Sequence, residues 1–251
     1  MEIVYRSVIV PMYREATRVE VAVRQLAASA LHRPGTEVIF VDDGSDDGTA
    51  DLVERLLLEL RFPARVLRLE RNQGKGAAVR AGFLTARGEA VAFVDADLSA
   101  GVDEVDRSLT LVESGEADVV ITTRARPESV IVIHQPALRE LSGKIFNLCL
   151  RVLGLTRFPD TQCGLKAFKS HAAKMLLTDL TISGFAFDVE ILLRAEQLEF
   201  RVVELPIEWR HLEASRVRPL VDSPRMLRDV LLLWWRERVV RRAWFRRRPV
   251  L

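Results

Sequence analysis

Ala90-Val91-Ala92-Phe93-Val94-Asp95-Ala96-Asp97 is the stretch that decides the fold. Five apolar residues without polar alternation read as a strand buried on both faces. The strand runs straight into two carboxylates two residues apart. Such a pair can share a hard divalent cation if the backbone turns between them, because Mg2+ takes one or two carboxylates and completes its shell with substrate phosphates. A bare D-x-D arises often by chance. Its place after a buried strand is what gives this one weight.

Outward from that strand the same pattern repeats. Towards the N-terminus, Ser7-Val8-Ile9-Val10 closed by Pro11, Glu37-Val38-Ile39-Phe40-Val41 and Arg65-Val66-Leu67-Arg68-Leu69 read as further strands. Helical spacing fills 17–31, 49–60 and 76–86 between them, then 102–113 before a fifth strand at 118–123. Strands alternating with helices predict an α/β fold: a mostly parallel sheet covered by helices on both faces. Ligand sites in such sheets lie at the carboxyl ends of the strands. Asp42-Asp43 and Asp95/Asp97 both follow strands, so two acidic clusters point to one edge.

The second half is less regular. Residues 124–136 read as a loop, 137–153 as an amphipathic helix, 161–168 as a strand, 188–198 as a helix and 200–206 as a strand. Ser223-Pro224 reads as a helix start, with a capping Ser and Pro at the first helical position.

Composition excludes several classes. The chain has 251 residues, 49% hydrophobic and 29% charged, with a net charge of +2. That is globular, and too balanced for a uniformly basic nucleic-acid binder. Cys149 and Cys163 are too few for a disulfide framework or a four-cysteine zinc site. The reading places Cys149 in a helix core and Cys163 as a buried small hydrophobe. No signal peptide and no membrane-spanning run is expected. The charge is skewed, however. From Arg225 onward nine Arg oppose Asp229 and Glu237, a local +7 that leaves −5 on the preceding 224 residues.

Two further segments carry chemistry. Asp42-Asp43-Gly44-Ser45-Asp46-Asp47-Gly48-Thr49 fails as a calcium loop, because its twelfth position is Val53 rather than Glu. It reads either as a turn with a helix cap at Thr49 or as a nucleoside site. Asn72-Gln73-Gly74-Lys75-Gly76 precedes a helix, where first-turn amides and Lys75 favour an anion. Its spacing is neither a P-loop nor G-x-G-x-x-G.

Pro11-Met12-Tyr13-Arg14-Glu15, Val41-Asp42-Asp43-Gly44-Ser45, Asn72-Gln73-Gly74-Lys75-Gly76 and Asp95-Ala96-Asp97, in this order, resemble the inverting glycosyltransferase family 2 with its Rossmann-like GT-A fold. Asp160-Thr161-Gln162-Cys163-Gly164-Leu165-Lys166, Phe187-Asp188-Val189-Glu190 and Glu204-Leu205-Pro206-Ile207-Glu208-Trp209 are similar to the dolichyl-phosphate β-glucosyltransferases, which move glucose from UDP-glucose to a polyprenyl phosphate. The resemblance implies that Pro11, Tyr13, Glu15, Asp42 and Asp43 hold the uridine, and that Lys75 lies by nucleotide or sugar. It implies that Asp95 and Asp97 hold sugar and an Mg2+ or Mn2+ ion, Asp97 being the firmer ligand. Arg216, in Ser215-Arg216, stands where related synthases carry a Lys reaching the donor diphosphate. Arg124, Arg139 and Lys144 fall where related enzymes place cations for the acceptor phosphate. Arg14 replaces the family's usual Asn.

The implied mechanism is one inverting displacement. A lipid monophosphate has a second pKa near ~6, so at neutral pH it is largely a dianion and needs no obligatory base. If a carboxylate orients sugar or acceptor, the reading chooses Asp160. Asp188 and Glu190 share a helix and either face the site or pair with cations. His211 lies near the proposed site, and His134 is isolated. The competing readings are a polyprenyl-phosphate mannosyltransferase using GDP-mannose, an enzyme of this fold with a soluble acceptor, and a non-enzymatic binding module. The domains expected are a catalytic unit over 1–221 and a basic amphipathic tail over 222–251. In the tail Leu227, Leu231, Trp234 and Trp235 face one side, leaving Arg225, Arg228, Arg236 and Arg242 for lipid headgroups, or else the helix packs on the catalytic unit or a dimer partner with only the last Arg cluster free. The expected location is the cytoplasm, peripheral at the cytoplasmic face of a membrane, and no nucleic-acid partner is expected.

Overall fold

The structure, a computed structural model, describes residues 4–210 and 219–246. Among these residues the strands are β1 (Arg6–Met12), β2 (Thr36–Asp42), β3 (Arg65–Arg68), β4 (Ala90–Val94), β5 (Val119–Thr123), β6 (Val130–Ile133), β7 (Leu165–Lys169), β8 (Val202–Pro206) and β9 (Glu208–Arg210). The helices are α1 (Val19–Ala27), α2 (Thr49–Glu59), α3 (Lys75–Thr85), α4 (Val102–Glu113), α5 (Ala137–Val152), α6 (Ser170–Leu177), α7 (Phe187–Gln197) and α8 (Pro219–Arg246).

Seven strands form one sheet in the order β3-β2-β1-β4-β7-β5-β8. It is parallel except at β7, which runs antiparallel to both β4 and β5. Successive residues of each inner strand enter opposite cores. Val8, Val10 and Met12 join α1, α2 and α4, while Ile9 joins the α3, α6 and α7 side. Burial on both faces is why these strands read as unbroken apolar runs. The result is a GT-A architecture with helices on both faces.

The reversal of β7 positions the site. Val94 pairs with Leu165, so the turn that precedes β7 arrives at the carboxyl edge of β4. Residues 160–164 therefore stand beside Asp95 and Asp97.

Four local expectations are corrected. Residues 124–136 are not all loop: Val130–Ile133 pairs in parallel with Glu208–Arg210 as a separate two-stranded sheet. Its side chains are mostly exposed, so no burial periodicity marked it. Pro224 lies inside α8 and does not open it; Pro219 is its first residue. Cys149 is exposed rather than core, because α5 turns much of its surface outward. Trp234 packs against the second core and Arg236 pairs with Glu190, so neither joins the outward face of the tail. Cys163 is buried as expected. No described helix is long and apolar enough to cross a membrane.

Candidate active site

The loop after β1 and the loop after β2 are built together. Asp42 is buried; its Oδ2 accepts the Ser45 amide at 3.0 Å, and its Oδ1 is buried with no partner. A native carboxylate oxygen in that state calls for an external donor. Asp43 is differently occupied. It accepts the amides of Gln73 and Gly74, each at 2.8 Å, and Asn72 Nδ2 at 2.9 Å. Burial pushes its carboxyl up, and those backbone bonds oppose the shift. Asp43 thus shapes the 72–74 loop.

Pro11 is buried in β1 and Tyr13 is half-buried at its end. Arg14 stands at φ +54°, a left-handed conformation in which Asn is several-fold enriched. That gives the usual Asn a physical reason, and Arg14 compensates through two bonds to Asp46, at 2.7 and 2.6 Å. Glu15 is buried and bound by the Arg18 guanidinium. Burial would lower the Arg18 pKa, yet Glu15 holds it above its ordinary value, with Asp97 and Asp95 adding to the effect. Arg18 therefore borders the acidic pair. The sequence reading overlooked it, although the Glu15/Arg18 spacing at a helix start is its signal.

Lys75 opens α3, and its Nζ lies 2.5 Å from Asp95 Oδ1 and 5.8 Å from the ring centroids of Phe93 and Phe187. Asp95 outweighs the opposing effect of burial and holds the ammonium pKa up. The amides expected to bind an anion here are taken: Gly76 N–H and Ala77 N–H both donate to the Ser183 carbonyl, at 2.8 and 3.3 Å. Lys75 is left as the charge of this loop. Beyond Asp95, Asp97 accepts the Ser99 amide at 3.0 Å. Among the described residues no Lys or Arg lies within ion-pair distance of Asp97, whereas Asp95 already has Lys75.

The turn before β7 supplies the other side. Arg124 closes on the buried Asp160 with two parallel bonds of 2.8 Å, its own amide adds a third at 3.0 Å, and its guanidinium lies 5.3 Å from the Trp209 ring. Burial works against both charges. Arg124 nevertheless holds the Asp160 carboxyl below its ordinary range, and Asp160 holds the guanidinium above its own. Arg139 is drawn down by burial and by the nearby Arg124, with Asp97 acting the other way. Arg139 is therefore within electrostatic reach of both Arg124 and Asp97.

Lys144 does not join them. It is 71% exposed and pairs with Glu140 at 2.7 Å, one turn back on α5. Five residues separate Lys144 from Arg139, about 140° around a helix, so the two leave it on different faces. Arg216 and His211 lie outside the described residues.

Two ion pairs complete the site's support. Lys166 Nζ meets Asp188 Oδ1 at 2.7 Å and donates to the carbonyls of Thr161 and Cys163 at 3.0 and 3.1 Å. Lys166 thereby ties down the turn that carries Asp160. Glu190 points instead to Thr181, Ile182 and Arg236.

Among the described residues no three His, Cys, Asp or Glu side chains gather as a protein-only metal site. The donor set is two carboxylates, of which Asp97 is in direct ion-pair contact with no described cation. That suits a hard divalent ion completing its shell with phosphate oxygens.

The sequence pattern of Glycosyl transferase family 2 matches residues 7–177. A dolichyl-phosphate beta-glucosyltransferase of Trichomonas vaginalis is 34% identical over 227 residues, 86% of this chain and 66% of that protein. One of Dictyostelium discoideum is 31% identical over 244 residues, 93% of this chain and 75% of that protein. The crystal structure of glucosyl-3-phosphoglycerate synthase from Mycobacterium tuberculosis, in complex with Mn2+, UDP and glucosyl-3-phosphoglycerate, superposes with a TM-score of 0.65. At 21% identity, over 90% of this chain and 77% of that one, this is a likeness of fold.

Proposed function

The chain belongs to glycosyl transferase family 2, and on that premise we propose that it transfers glucose from UDP-glucose to a polyprenyl phosphate of the dolichyl type, with inversion. The observation that carries the reading is the meeting of Lys75-Asp95-Asp97 with Arg124 and Arg139 at one sheet edge. A phosphate acceptor requires cations on one side of the reacting carbon, and a nucleotide diphosphate requires charge compensation on the other.

On the donor side, Asp42 Oδ1 accepts a donor group of the uridine, with Pro11 and Tyr13 beside it. Glu15 acts through Arg18, and Asp43 through the 72–74 loop. Lys75, held by Asp95, stands by the diphosphate and sugar. Asp97, with Asp95, would hold Mg2+ or Mn2+, which supplies charge stabilisation of the leaving diphosphate. By the resemblance above, Arg216 would add a cation to the diphosphate. A protein of the same fold, from Mycobacterium tuberculosis, is solved with Mn2+ and UDP, which is consistent with a metal and a nucleotide at this sheet edge.

On the acceptor side, Arg124 and Arg139 bind the phosphate. As a dianion it attacks without surrendering a proton, so no side chain must act as base. Asp160 fits that scheme as a positioning residue: its low pKa and two bonds to Arg124 make it a clamp.

A lipid acceptor brings the enzyme to the membrane surface. Leu141, Ile145, Leu148 and Val152 form an exposed stripe on α5, the helix that carries Arg139. On α8, Leu227, Leu231, Trp235 and Val239 are exposed four residues apart. We assign the peripheral contact, at the cytoplasmic face, to these two stripes. The deciding experiment incubates the protein with labelled UDP-glucose, GDP-mannose and a polyprenyl phosphate. Lipid-linked label from UDP-glucose alone supports the reading. Label from GDP-mannose, or on a water-soluble acceptor only, overturns it.

A further inference from the structure

The guanidinium of Arg236, far along α8, is turned back onto the catalytic domain. Its Nη1 donates to Thr181 Oγ1 at 2.8 Å and its Nη2 to Glu190 Oε1 at 3.2 Å. Glu190 is fully buried, and a buried carboxylate without a cation is strongly unfavourable. Its Oε2 accepts the amides of Thr181 and Ile182 at 3.0 and 2.8 Å. The pair therefore fixes the backbone that leads to Ser183.

Ser183 is where that segment meets α3. The N-cap residue Gly74 has no side chain to satisfy the first-turn amides. The Ser183 carbonyl does so instead, accepting from Gly76 and Ala77. The approach is so close that a Cβ on Gly74 would lie 2.4 Å from that oxygen. Lys75 sits between these glycines, with its ammonium on Asp95.

We propose that Arg236 is a positioning residue for Lys75: by neutralising Glu190 it seats residues 181–184 against the start of α3 and so sets where the donor-side ammonium stands. The catalytic consequence rests on the function proposed above; the structural link does not. A helix with an exposed apolar stripe is in this way joined to the donor half of the site.

The test uses the full chain carrying Arg236→Ala or Arg236→Lys. Arg236→Ala leaves the buried Glu190 without its cation, so circular dichroism first checks that the fold is retained, and Arg236→Lys keeps the charge. Hydrogen exchange, measured without ligand, should accelerate about tenfold at the Gly76 and Ala77 amides in Arg236→Ala. UDP affinity by calorimetry and the KM for UDP-glucose should weaken roughly tenfold, while the acceptor KM and vesicle pelleting stay within about twofold. Arg236→Lys should recover most of the loss. Unchanged exchange at Gly76 and Ala77 would overturn the proposal. So would a loss confined to acceptor use and vesicle pelleting, which would make Arg236 a headgroup contact. If the wild type fails to bind UDP but the exchange effect appears, the functional reading falls and the Arg236–Lys75 link stands.

Discussion

Gly164 lies directly against Asp95. Its carbonyl accepts the Asp95 amide at 2.9 Å, and a Cβ at residue 164 would stand 2.3 Å from Asp95 Oδ2. The carboxylate that pairs with Lys75 therefore occupies the space that any other residue would fill. Gly164→Ala must displace Asp95. Overpacking of this kind destabilises by about 1–3 kcal/mol, which a domain of this size tolerates. Misplacing a reacting group by an ångström can lower turnover about 100-fold. Transfer should drop on that scale while the circular dichroism spectrum is preserved, and near-normal turnover would show that Asp95 has room to spare.

Asp97 is the carboxylate without a described cation. Asp97→Asn should reduce transfer by at least about 100-fold, since metal-borne charge stabilisation amounts to several kcal/mol. Excess Mn2+ or Mg2+ should not restore it, and Tm should hardly move. Undiminished activity of the wild type in chelator would contradict the metal assignment.

The Arg124–Asp160 clamp makes a prediction about pH. The folded Asp160 pKa is depressed, so its contribution is complete above the ordinary Asp value of about 3.9 and is lost only as pH falls through the lower folded value. Between pH 5 and 8 the clamp stays closed. The acceptor kcat/KM in that range should then follow only the acceptor phosphate, with its pKa near ~6. Asp160→Asn should lower acceptor use and cost roughly 3 kcal/mol of stability without moving that limb. A shifted limb in the variant would mean that Asp160 titrates during turnover.

Lys166 and Asp188 are both buried, so removing one leaves the other uncompensated. Lys166→Met should destabilise by about 3–5 kcal/mol. The double variant Lys166→Met/Asp188→Leu should regain the charge part of that loss, but it leaves the Thr161 and Cys163 carbonyls without their donor. Its acceptor KM should therefore remain raised in steady-state assays. Full catalytic recovery in the double variant would reduce the pair to a purely electrostatic role.

For the membrane contact, truncation at Ser223 is a poor test, because α8 contributes Val230 and Leu233 to the core. Substitution on the exposed faces is cleaner. Leu231→Ser/Trp235→Ser and Leu141→Ser/Ile145→Ser should each reduce pelleting with anionic vesicles while Tm is retained. Pelleting that survives both variants would move the contact elsewhere.

The order of strands and helices through residue 123 was legible because burial on both faces leaves a strong apolar signal. The boundaries of β4 and α4 fall where the pattern places them. That Asp42 and Asp95 stand at one edge was legible too, since one ends and the other follows a strand parallel to β1. What periodicity does not carry is the partner. Lys166 with Asp188 and Glu190 with Arg236 join residues 22 and 46 positions apart, and each reads in isolation as an ordinary charge. The direction of β7 was hidden for the same reason, because an apolar run buries equally well either way. The apolar positions of α5 predicted amphipathicity correctly but did not reveal that much of that face would be left uncovered.

The antiparallel strand β7 also governs how the enzyme can move. It is hydrogen-bonded on one side to β4, which leads into Asp95 and Asp97, and on the other to β5, which leads into Arg124. The proposed donor and acceptor halves are thus stitched through one continuous ladder. Opening the cleft by swinging one lobe from the other would tear sheet. On the proposed assignment, substrate entry and product escape are gated at the rim, and the ladder sets the spacing of the two proposed sites.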